Sequence, residues 1–310
     1  MTLRTTATLA AGLISALLAL AALRGLPFGT VLFWFSPFPL FAAGLAFGWV
    51  AAAQAVLAGV LVTAVSGGVP GTLAWVLLFA MPAVLLLRLA LPAAPGAPLA
   101  LAMPFATLAL WPAAMLLAAE LAFAGRPGGF SGVLRAVMEQ ALAQMGAPAE
   151  VGGEDFVGMM VRIKPLAFAL WFSVVMAMNA AIAQRMVERR GLLLAPPARW
   201  AMALLPGWYW KLAVGVMLAA LVVPGGAGFV VQSAAMMLAV PLALQGLAVV
   251  HVVSQGRPGR PLMLGPLYVA LVLFTVPVGV GLAGLGIAEH FLNLRGRGPR
   301  PGTGLTPPED

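Results

Sequence analysis

Most of the side chains that could do chemistry inside apolar sequence fall between residues 245 and 295: Gln245, His251, Glu289, His290, Asn293 and Arg295. Both histidines of the chain are among them. An imidazole or a carboxylate at membrane depth can pass a proton, and a Glu with an Arg can hold charge where water is scarce, so such groups mark candidate functional positions. Gln245 and His251 stand six residues apart, roughly 120° around a helix axis, and do not form one point site alone. For Gln245 two readings stand, an interhelical hydrogen bond and a ligand contact. His251 falls near a helix end, as an interfacial histidine or a proton relay. Glu289 and Asn293 are one turn apart and share a face, with His290 alongside. Glu289 and Arg295 do not face each other on a straight helix, so each is expected to reach a partner elsewhere. The group is either an anchoring network at a helix end or a polar functional site, and Glu120 and Gln54 are weaker candidates of the same kind.

No P-loop, Rossmann fingerprint, His-Glu-x-x-His or nucleophile elbow occurs. Cysteine is absent, which removes thiolate ligands, disulfides and a cysteine nucleophile. Two histidines with few carboxylates at membrane depth make a poor transition-metal site. The expectation is a protein that is not an enzyme and uses no cofactor.

The elements that must position these groups follow from composition. Of 310 residues, 62% are hydrophobic and 8% charged, with a mean hydropathy of +1.04, whereas a soluble domain carries about a quarter charged residues. Runs without a formal charge extend over 25–87, 89–119, 212–250 and 261–288. Each reaches the roughly 20 residues a helix needs to cross about 30 Å of hydrocarbon. Helices satisfy their own backbone, and the alternation of a membrane β-barrel is missing. The expected fold class is therefore all-α, a polytopic membrane bundle of about eight transmembrane helices, between seven and nine, with one amphipathic extracytoplasmic helix. It forms a single membrane domain over 1–295, with an insert at 125–163 and a disordered tail rich in Gly and Pro over 296–310. The net charge of +8 comes largely from bases that flank apolar runs. They suit a lipid bilayer as partner, and without interleaved aromatics they do not suggest nucleic acid.

Along the chain, residues 1–24 read as the first transmembrane helix, although Ala19-Leu20-Ala21 also fits a signal peptide. Ala7, Ala11, Ser15 and Ala19 form a stripe of small residues that lets a helix approach closely, within this protein or on a membrane partner. Phe28 to Ser36 reads as a short interfacial or re-entrant piece, followed by a helix from Pro37 to about Val65 with a second packing face at Gly44 and Gly48. Ser66 to Gly71 is a turn. In the insert, Leu134, Val137, Met138, Ala141, Leu142 and Met145 fall on one helical face; Ser131 can cap this helix and Gly146 can end it. A helix from Lys164 to about Val187 follows, then the aromatic and basic cluster Trp208-Tyr209-Trp210-Lys211 and a short helix to Val223.

Bases outnumber acids in 185–211, which places that loop in the cytoplasm and the insert outside. One further crossing after Arg257 and Arg260 would leave Arg295, Arg297 and Arg300 outside. Either 262–294 bends at Pro277 and returns, or the charge rule fails there.

Gln245-Gly246-Leu247-Ala248-Val249-Val250-His251, followed by Gly284-Leu285-Gly286-Ile287-Ala288-Glu289-His290-Phe291-Leu292-Asn293-Leu294-Arg295, resembles the C-terminal half of the YybS-like family of bacterial membrane proteins. The family pattern has Asp at Glu289 and often a second acid at Asn293, so a paired-carboxylate role does not carry over. The resemblance implies a distant likeness to S components of energy-coupling factor transporters and to MreD, to which Ser36-Pro37-Phe38-Pro39 and the face of helix one are also similar. Two functions follow as expectations. One is a small-molecule binding or transport subunit with its pocket under the insert, and the other a non-transporting scaffold for envelope or division proteins. The bacterial inner membrane is the implied location.

Overall fold

The apolar runs fold as helices throughout, and no strand occurs among the described residues. The computed structural model describes residues 2–94, 96–146 and 153–297. The tail from 298 onwards lies outside them, as does the end of the insert.

Helix α1 (Leu3–Leu23) runs antiparallel to a broken helix made of α2 (Gly29–Trp34) and α3 (Pro37–Phe47). Gly29 packs against Ala21, Ser36 Oγ donates to the Ser15 carbonyl at 2.9 Å, and Arg4 donates to the Phe47 carbonyl at 3.0 Å. The expected re-entrant piece is therefore the first half of a full crossing. Pro37 and Pro39 leave backbone N–H groups missing just after Ser36, which is why the helix interrupts there without ending.

Gly48, at φ 95°, reverses the chain into α4 (Trp49–Trp75). It is a turn residue and not part of a packing face, so the expected helix from Pro37 to Val65 is two helices. Gly44 does pack closely, with a β-carbon there running into the Leu87 side chain. Helix α4 continues through a π-helical segment (Val76–Ala80) into α5 (Met81–Ala90). The whole stretch of 42 residues would be about 63 Å long if straight. It is not straight. Gly68 has φ 63° and ψ −170°, and a β-carbon on Gly59 would overlap the ring of Trp75, 16 residues later. Such a contact needs a reversal, so the expected turn at Ser66 to Gly71 is present and the stretch crosses twice. Seven stretches are long and apolar enough to cross a membrane, and one of them folds back on itself, in keeping with a bundle of about eight helices among the described residues. The protein is a multi-pass membrane protein.

The remaining elements are α6 (Ala102–Phe123), α7 (Gly129–Gln144), α8 (Glu154–Arg189), α9 (Tyr209–Val222), α10 (Gly225–Val253), α11 (Arg260–Leu273) and α12 (Thr275–Leu292). Helix α7 is the amphipathic helix of the insert, and none of its residues is buried. Gly146 ends it at φ 63°, as expected, whereas Gly128 precedes it and Ser131 bonds back to the Gly128 carbonyl instead of capping. Helix α8 starts ten residues before Lys164, because Glu154 and Asp155 complement the positive end of the helix dipole.

Contacts between loops sort the helix ends. Leu194 N–H donates to the Leu45 carbonyl and Leu99 N–H to the Pro196 carbonyl, while Arg88 lies 5.3 Å over the Trp49 ring. The start of α1, the α3–α4 turn, the end of α5 and the basic 185–199 segment thus share one end of the bundle. At the other end Arg24 donates to the Ser66 carbonyl, and α7 lies against α6 and α8.

Helix one spends its small residues inside the chain. Ala11, Ser15 and Ala19 are buried and Ala7 is half-buried. Gly12 sits so close to α4 that a β-carbon would overlap the Ala55 carbonyl. Of the two uses expected for the stripe, internal packing is the one observed, and the face is not open to a partner.

Candidate functional site

Helix α10 carries a half-length helix on each half of its length. Helix α9 is joined to it by a two-residue turn and pairs with its first half; Tyr209, at the start of α9, donates from Oη to the Leu238 carbonyl at 3.0 Å. Helix α12 runs antiparallel along the second half. Gly246 and Gly286 make that approach possible, since a β-carbon on either would overlap the carbonyl of Leu282 or Leu242. The start of α9 and the end of α12 therefore meet midway along α10, where Trp210 and Phe291 pack edge to face at 5.2 Å. Two interrupted backbones meet there, and their carbonyl and N–H groups need partners inside the bundle.

The partners are the residues first noticed in the sequence. Gln245, 1% exposed, accepts from Leu205 N–H at 2.7 Å and donates to the Gly286 carbonyl at 2.6 Å. It joins the segment before α9 to α12, so its interhelical reading is the one observed. Glu289 accepts from Arg295 Nε at 2.8 Å through one oxygen and from Leu294 N–H at 2.8 Å through the other. Arg295 Nη1 donates to the carbonyls of Ala201 and Ala203 at 2.9 and 2.8 Å.

The pairing of Glu289 with Arg295 corrects the straight-helix expectation. Asn293 adopts φ 45°, ψ 53°, the left-handed conformation that ends helices, and turns the chain back so that Arg295 returns onto Glu289. Asn tolerates that conformation better than most residues with a side chain. The same turn bears on the topology. Arg295 does not emerge into water after a further crossing but is buried in an ion pair against the 201–203 segment.

The histidines do not join this cluster. His290 neighbours Glu289 in sequence, but its Nε2 is buried without a hydrogen-bond partner among the described residues. His251 lies near the far end of α10, where Nε2 and Tyr268 Oη of α11 are 2.7 Å apart. Glu120 accepts from Phe130 N–H at 3.2 Å and holds the first turn of α7. Gln54 is exposed.

A second interrupted helix lies where the sequence places a break, just before Pro37. At the α2–α3 break, Asn179 donates to the Trp34 carbonyl at 2.8 Å, and Trp75 Nε1 lies 3.3 and 3.2 Å from the hydroxyls of Ser15 and Ser36. Asn179 was findable by the rule that picked out Gln245, since it is the amide nearest the middle of the 164–187 run. Tyr209, read as part of an aromatic belt, is fully buried.

Chemically, Gln245, Glu289 and Arg295 bind this chain's own backbone and one another. No group of three or more His, Cys, Asp or Glu assembles among the described residues. An open groove of about 660 Å³ lies beside the segment that Arg295 binds, lined by Arg199, Met202, Ala203 and Leu204 with Pro98 and Ala102. A crevice of about 280 Å³ beneath α7 and one of about 170 Å³ between α8, α10 and α12 are both lined almost wholly by apolar side chains. Compared with protein-family models, with curated proteins and with solved structures, the chain matches none.

Proposed function

We propose that this chain is a non-enzymatic, non-transporting membrane scaffold, and that its interior polar residues anchor interrupted helices instead of handling a solute. One observation carries the reading: Gln245, Glu289 and Arg295 form their hydrogen bonds and ion pair within the chain. A polar ligand would have to displace those bonds and leave buried backbone groups unmet. The resemblance to the YybS-like family, and through it to MreD, is in keeping with this, because its two segments, 245–251 and 284–295, include the glycines at which α10 and α12 meet. The bacterial inner membrane belongs to the same proposal.

The test is purification of the full chain in mild detergent, with quantitative mass spectrometry of both proteins and small molecules. The scaffold reading expects a membrane-protein partner in fixed ratio and no polar metabolite in fixed ratio. Recovery of a stoichiometric polar solute or of transporter-coupling subunits overturns it. The binding-subunit reading retains two observations, the groove beside Arg199 and Ala203 and the crevice beneath α7, whose lining suits an apolar guest.

A further inference from the structure

We infer that the crevice beneath α7 is a lipid site, seating one acyl chain of an anionic phospholipid whose head group meets Lys164. The inference holds for a scaffold or a transport subunit alike. The crevice of about 280 Å³ is bounded by Leu78, Leu116, Phe168 and Met237 from four different stretches of the bundle, with Phe130 and Leu134 of α7 as its roof. Its volume approaches the roughly 300 Å³ at which ligand pockets begin.

Prolines account for the hollow. Pro112 of α6 and Pro165 of α8 line it directly, and Leu78 and Met237 each stand four residues before another, Pro82 and Pro241. A proline lacks the N–H that would bond the carbonyl four residues back and pushes the helix out of line there. Four neighbouring stretches disturbed at one level cannot close ridge into groove. The disturbance is stabilised elsewhere: Ser173 donates to the carbonyl of Leu108, four residues before Pro112.

The occupant follows from the surroundings and the charge. Apart from Phe130 and Leu134 of the roof, the lining residues belong to stretches long and apolar enough to cross the membrane, so acyl chains are the apolar material at hand. Lys164 is the single charged residue of the lining. The ion pair formed among the described residues is that of Arg295 with Glu289, so the ammonium of Lys164 is open to an outside anion. Glu120, which could have competed for it from α6, is turned onto the Phe130 N–H. That bond, with Phe123 and Phe130 stacked at 6.0 Å, also holds the roof over the crevice.

Two experiments on the full chain test this. In the first, the protein is purified from vesicles of equal phosphatidylglycerol and phosphatidylcholine, and retained lipid is counted by native mass spectrometry. The wild type should keep about one lipid with phosphatidylglycerol preferred. Lys164→Gln should lower that preference about fivefold, Ala119→Phe should abolish retention by filling the crevice, and Lys211→Gln should change neither. In the second, phosphatidylglycerol with a photoreactive acyl chain is crosslinked to the wild type, which needs no variant to fold. Crosslinks at Leu116, Phe168 or Met237 support the site. Crosslinks confined to outward residues such as Leu121 and Val174, no retained lipid, or an unchanged preference in Lys164→Gln would each overturn it.

Discussion

Replacing Arg295 by Met tests the anchoring network most directly. Both side chains of the ion pair are 3% exposed, so solvent screening does little to soften the loss. Removing the guanidinium leaves the Glu289 carboxylate with its two backbone N–H contacts but no countercharge, and leaves the Ala201 and Ala203 carbonyls without a donor. Breaking one side of a buried pair costs about 3 to 5 kcal/mol, a shift of at least a hundredfold in the unfolding equilibrium. Glu289→Gln keeps an acceptor for Leu294 N–H and loses only the charge, so it should cost less, about 1.5 to 3 kcal/mol. The double variant holds no unpaired charge, and its loss should fall short of the sum of the single losses by about 1 to 3 kcal/mol. Equilibrium unfolding in mixed detergent micelles measures all three. An Arg295→Met curve that superimposes on the wild type, or strictly additive losses, would refute the reasoning. Unchanged stability with lost partner recovery would instead return the cluster to function.

Further outcomes follow from the same geometry. Gln245→Leu should lose about 2 to 4 kcal/mol in the same unfolding assay, because Leu205 N–H and the Gly286 carbonyl are left buried and unmet. Gly246→Ala and Gly286→Ala should each cost about 1 to 3 kcal/mol through overpacking, whereas Gly284→Ala, which meets open space, should be close to neutral. Asn293→Val should destabilise and Asn293→Gly should not, since φ is positive there. The absence of cysteine makes single-cysteine labelling clean. Cysteines at Thr2 and Arg190 should react with an impermeant reagent from one side of the membrane, and at Gly25 and Ala136 from the other.

How much of this was legible beforehand depends on the kind of signal. Uncharged runs longer than a bilayer leave helices as the sole economical solution, so the fold class and a bundle of about eight helices could be read directly, though not which stretches supply them. Gln245, Glu289 and Arg295 stood out as polar groups in apolar surroundings, and the structure does bring them into one cluster. Their partners were hidden, because carbonyls such as Ala201 and Ala203 carry no side-chain mark. The Glu289–Arg295 pair was hidden too, since it depends on one left-handed residue that helical periodicity does not encode. The stripe on helix one shows a further limit: small residues announce close approach, but not whose helix approaches.

The site midway along α10 also imposes an order on assembly. Arg295 lies 94 and 92 residues after the carbonyls it binds, and Gly286 lies 41 residues after Gln245. A chain inserted from its N-terminus therefore leaves the Ala201 and Ala203 carbonyls and the Gln245 amide N–H unmet until the last helix arrives. The final ion pair works as a latch on biogenesis, closed only when the end of α12 has reached its place.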